Sequence, residues 1–92
     1  MKLTKSFLNK FIKWSGSRYN QYKKVVVIKI ILEGFSQNRT GKQLFSSGSY
    51  CPCSSMTGLY DYLVDFDNKE IIKGYIDDNG IIKTEIERIK VD

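Results

Sequence analysis

Cys51 and Cys53 flank the only proline of the chain, Pro52, and a thiolate in such a pair can hold a metal or attack an electrophile. A structural zinc site takes four ligands, usually Cys and His. With two cysteines and no histidine, one copy of the chain cannot complete it, although two copies pooling four thiolates could. A disulfide between residues two apart, across a proline of fixed φ, would close a tight, strained ring. Redox pairs also space their thiols by two residues rather than one. The expectation is a pair of idle reduced thiols in a loop, with no metal and no cofactor.

Other chemistry-bearing groups fare no better. Gly34 and Gly41-Lys42 imitate a phosphate-binding loop, but six residues intervene instead of four, and Gln43 stands where a magnesium-binding Ser or Thr belongs. Asp61, Asp65 and Asp67 fall on one face of a predicted strand, where same-face neighbours lie about 6–7 Å apart. Two-metal chemistry needs carboxylates converging on ions roughly 4 Å apart, so these acids read as solvated outer-face residues. The absence of histidine removes a Ser-His-Asp triad. Only a histidine-free ribonuclease-type toxin, working with Lys, Arg and Tyr, survives as an enzymatic reading.

Charge is more informative. Residues 1–24 carry seven cations and no acid, residues 25–58 a balance of +2, and residues 59–92 nine acids against five bases. A helix that is merely solvated usually mixes Glu with Lys for support across one turn. Here the positive run instead continues from Lys5, Lys10 and Lys13 to Arg18, Lys23 and Lys24, interleaved with Tyr19 and Tyr22. Phosphates are drawn to such a field, and exposed tyrosines can stack on bases. These eight residues form the candidate surface for nucleic acid or a partner protein. A basic amphipathic helix can also lie on an anionic membrane, but the small core needs its apolar face.

The elements that must position this surface follow from periodicity. On a wheel of about 100° per residue, Leu3, Phe7, Leu8, Phe11, Ile12 and Trp14 occupy one half and the lysines the other, predicting a helix over 3–14 that ends at the "SGS" of 15–17. "RYNQYKK" shows no period. "KVVVIKIILE", 24–33, is β-branched and reads as a buried strand, and "KQLFSS" as a short second one. "SQNRTG" has turn chemistry, and 48–58 reads as a loop. "LYDYLVDF", 59–66, alternates, with Tyr60, Tyr62, Val64 and Phe66 on one face. "DNK" and "DDNG" mark turns flanking "EIIKGYID", and Asn79-Gly80 suits a hairpin. In "IIKTEIERIKV", Ile86 and Ile89 have opposite parity, which predicts a bulge or a terminal helical turn.

The expected architecture is one α+β domain over 1–92: a basic helix and arm, 1–24, packed on a β-rich region, 25–92, of about five mostly antiparallel strands. That order resembles a small SH3-like barrel, or else an open meander; no motif carries the resemblance and it implies no function. No stretch approaches the roughly 18 apolar residues of a membrane span, and no signal-peptide pattern opens the chain, so a cytoplasmic protein is expected. The functional expectation is a small non-enzymatic binding protein acting through its basic N-terminal surface on nucleic acid or a nucleic-acid-handling protein. The alternative is an inhibitor or immunity-type protein that blocks a partner enzyme, for which the acidic C-terminal third could imitate nucleic acid. A Lys- and Ile-rich, histidine-free composition suits an AT-rich phage or other mobile element.

Overall fold

The computed structural model describes residues 2–14, 18–46 and 60–91. Within them the order is α1 (Lys5–Phe11), α2 (Arg18–Ser36), β1 (Lys42–Phe45), β2 (Tyr60–Asp65), β3 (Glu70–Ile76) and β4 (Ile82–Lys90). The strands form an antiparallel sheet in the order β1-β2-β3-β4. The class is α+β as expected. The described strands number four rather than five, and they make an open meander with β1 and β4 at its edges instead of a barrel.

α1 starts where Thr4 caps it: the Phe7 backbone N–H donates to Thr4 Oγ1 at 3.0 Å, satisfying one of the first-turn donors. Leu8 and Phe11 face inward, joined beyond the helix by buried Ile12 and Trp14. Tyr62 of β2 locks the exit from the helix. Its Oη accepts the Lys13 backbone N–H at 3.2 Å and donates to the Phe11 carbonyl at 3.5 Å. Burial pushes the Tyr62 hydroxyl above its ordinary pKa, with the Lys13 N–H pulling the other way.

The main departure from expectation is α2. The run expected as a strand at 24–33 lies within a 19-residue helix that also takes in "RYNQYKK". The division of the chain at 24/25 into a basic arm and a β-rich region therefore falls inside one element. β-branched residues cost a helix at most about 0.7 kcal/mol each against alanine, whereas burying one such side chain contributes about 1.5–3 kcal/mol. Val27, Ile28, Ile31 and Gly34, spaced at one helical face, are buried, while Val25, Lys29 and Glu33 are exposed. Packing therefore outweighs propensity. The helix closes on Asn38, in the left-handed region at φ 54, with the Arg39 N–H donating to Gly34 O and the Asn38 N–H to Phe35 O. That pair of bonds satisfies the last-turn carbonyls in a Schellman arrangement.

The helices cover one face of the sheet. Phe45, Tyr62, Val64, Phe66, Ile71 and Ile89 meet Leu8, Phe11, Ile12, Val27, Ile28 and Ile31 in the main core. On a second cluster, Leu63, Ile72 and Ile76 are buried against Leu44, Tyr60 and Ile82. The β2 alternation thus holds from Tyr62 to Phe66 but fails at Tyr60, where the register with β3 shifts.

The expected bulge in the last strand is real. Lys73 pairs with Glu87 and Gly74 with Glu85, so Ile86 has no opposite number and is 58% exposed. At Gly74 a Cβ would lie 1.9 Å from the Thr84 carbonyl oxygen, so the strands approach there only because no side chain intervenes. The β3–β4 turn holds Gly80 at φ 82, and the Asp77 carboxylate accepts the Asn79 and Ile81 backbone N–H groups at 2.9 Å each.

Candidate nucleic-acid interface

α1 and α2 carry every cation of the expected surface except Lys13, which follows α1, and the structure distributes the six over four places. Lys5 opens α1 and lines a shallow groove against Val25, Ile28, Lys29, Leu32 and Glu33. Lys10 is exposed in the last turn of α1, where a cation complements the helix C-terminus. Lys13 borders a different groove, with Asp61, Tyr62, Lys73 and Tyr75. Arg18, Tyr19, Tyr22, Lys23 and Lys24 lie together on the first two turns of α2.

Within that last group the roles separate. Lys24 Nζ donates to the Asn9 carbonyl of α1 at 2.9 Å, so its ammonium clamps the two helices together. Lys23 Nζ lies 4.9 Å from the centre of the Tyr19 ring, one helical turn away, in a cation–π contact. Tyr19 and Tyr22 are 63% and 66% exposed, unusual values for large aromatic side chains on a helix that packs its other face. They border a groove of about 330 Å³ whose walls also include Trp14, Val26, Phe45 and Tyr60. The groove brings α2 together with the exit from α1 and with β1 and β2.

Trp14, Phe45 and Tyr60 are absent from the site read in the sequence. Phe45 and Tyr60 reach it only through the sheet. With 24–33 taken as a strand, nothing could place Tyr60 beside Tyr19. The Gln21 side chain, one turn into α2, donates to the Trp14 carbonyl at 3.1 Å and fixes this residue against the helix.

Electrostatics favour an anion here. Eight cations precede Glu33, the first acid of the chain. Among the described residues, ion pairs join Lys83 to Asp77 and Arg88 to Glu70 and Glu85, and none of those eight cations has a carboxylate partner. α2 has no acid in its first turn and no base in its last. Its charges therefore oppose the helix dipole rather than complement it, which leaves local helix stability as a poor reason for them.

No group of three or more Cys, Asp or Glu able to hold a metal occurs among the described residues. Asp65 is not the solvated acid expected, being 6% exposed. Burial alone would raise its pKa, but the side chain of Asn68, donating at 2.8 Å, and the Asn68 backbone N–H outweigh it and hold the carboxyl below its usual range. It organises the β2–β3 turn. Asp67 is exposed in that turn, and Asp61 lines the same groove as Lys13. Cys51 and Cys53 lie outside the described residues.

The fold and groove define a small α+β protein with helices on one face of an antiparallel meander and a basic, aromatic-lined surface. No protein-family model, curated protein or solved structure matches it. No helix among the described residues is long and apolar enough to cross a membrane.

Proposed function

We propose that this protein binds single-stranded nucleic acid, without catalysing a reaction on it, through the first turns of α2 and the aromatic groove beside them. One observation carries the reading: Lys23 stands with two exposed tyrosines on an aromatic groove, with Arg18 on the same helical turn as Tyr19, on helices whose cations lack carboxylate partners among the described residues. Cations supply attraction to phosphate, and tyrosine faces supply stacking that tolerates any base. A duplex hides its base faces, so the stacking favours single strands.

Each phosphate contact on a single strand contributes roughly −0.7 to the slope of log K against log[salt]. Arg18→Gln with Lys23→Gln should therefore flatten that slope by about 1.4. Lys13→Gln, on the groove shared with Asp61 and Lys73, should change it by less. Filter binding of short DNA and RNA at several salt concentrations reads this directly. Absence of retention at low salt, together with a stable complex with one specific protein, would replace this reading by the inhibitor one.

A further inference from the structure

Trp14 is 7% exposed, and its indole Nε1–H is buried without a hydrogen-bond acceptor among the described residues. Buried donors nearly always find a partner, because leaving one unmade costs its full desolvation. This orphan belongs to a residue that lines the aromatic groove, next to Tyr19, Tyr22, Lys23 and Tyr60. A groove of about 330 Å³ lies at the low end of the volumes of small-ligand clefts, roughly 300–1,000 Å³. It suits one flat ring system rather than a helix or a duplex.

We propose that the groove receives one unpaired base of a single-stranded chain, and that the Trp14 indole N–H donates to a carbonyl oxygen or ring nitrogen of that base. The base stacks on Tyr19 or Tyr22, and its phosphate meets Lys23. This rests on the nucleic-acid reading and adds the residue that senses the base itself. A purely apolar ligand would leave the indole donor unpaired and Lys23 without an anion. The indole nitrogen is itself buried, so on this proposal a neighbouring side chain turns as the base enters. Rotamer changes of this kind are common on binding.

Trp14 is the only tryptophan, so its indole N–H gives a single nuclear magnetic resonance signal in the intact protein. Two ligands of equal length serve as probes: a five-nucleotide single-stranded RNA and its abasic counterpart, which keeps the phosphates and removes the bases. Fluorescence anisotropy of end-labelled oligomers reports binding independently. The RNA should move the indole signal downfield and slow its exchange with water, while the abasic oligomer leaves it in place and binds more weakly. Tyr19→Ala should weaken the RNA by about 5- to 150-fold, the range for loss of one stacked base. RNA binding with an unmoved indole signal would overturn the base-sensing role and leave the nucleic-acid reading standing. Equal affinity for the abasic oligomer would do the same. Binding of neither oligomer at low salt would overturn both.

Discussion

Substituting Gly34 by alanine tests the packing of α2 on the sheet, because propensity and packing predict opposite signs. Gly34 lies in the last turns of a 19-residue helix, where alanine should stabilise by about 1 kcal/mol. An alanine Cβ at this position, however, would come within 2.4 Å of Phe66 Cε1 and 2.6 Å of its Cζ. Ordinary carbon contacts are about 3.5–4.0 Å, so the ring would have to withdraw by about 1 Å. It has little freedom to do so: the Phe35 ring is 5.0 Å away between centroids and the Arg39 guanidinium 5.7 Å from the Phe66 centroid. Overpacking of this kind costs about 1–3 kcal/mol, and an overlap with two ring atoms belongs in the upper half of that range. After the propensity gain is offset, Gly34→Ala should destabilise by about 1–2 kcal/mol. Urea denaturation of the wild type and the variant measures it. In a Phe66→Leu background the overlap is relieved, and the same substitution should become neutral or stabilising, a coupling within the 0.5–3 kcal/mol typical of residues in contact. A wild-type background in which Gly34→Ala gains about 1 kcal/mol would refute the close approach of α2 to Phe66.

Two further perturbations probe the core and the β2–β3 turn. Phe11 stacks on Phe7 at 5.8 Å and meets Tyr62 edge-on at 5.9 Å in the buried core, so Phe11→Ala should cost about 3–5 kcal/mol in chemical denaturation. A cost below about 1 kcal/mol would place α1 outside the core. Asp65 has its pKa lowered in the folded chain, so its contribution is fully present above the unfolded carboxylate value of about 3.9 and is lost as pH falls through the lower folded value. The wild-type melting temperature should therefore fall more steeply below about pH 4 than that of Asp65→Asn, and parallel curves would remove Asp65 from the acid response.

Elements whose period agrees with their burial were legible in the sequence. The half-circle of apolar residues locates α1, although the helix spans Lys5–Phe11 rather than 3–14 and leaves Ile12 and Trp14 beyond its end, and the alternation from Tyr62 to Phe66 locates β2 and the face it turns to the helices. The parity clash between Ile86 and Ile89 announced a register skip, and the skip falls at Ile86. α2 was not legible because its residue types and its spacing disagree. Valine and isoleucine favour strands on average, yet Val27, Ile28, Ile31 and Gly34 recur at helical intervals. The polar interruptions at Lys29 and Glu33, four apart on the exposed side, were the signal available for a helix.

The same conflict between residue type and spacing conceals half of the groove. Tyr19, Tyr22 and Lys23 could be picked out as basic and aromatic residues on a polar segment, but a groove needs walls, and here they come from distant parts of the chain. Phe45 and Tyr60 stand beside Trp14 only because α2 lies across the β1–β2 edge of the sheet. The cations are a different case. Lys24 holds α1 to α2, while the side chains of Arg18 and Lys23 make no hydrogen bond or ion pair within the described residues, and Arg18 stands at the helix end where a cation is unfavourable. Neither charge serves the helix that bears it, and Lys23 also lines the aromatic groove, which is why the proposed function assigns them to a ligand. On the proposed function, a single strand would supply both complements at once, phosphates for Arg18 and Lys23 and a ring with an acceptor for the indole of Trp14.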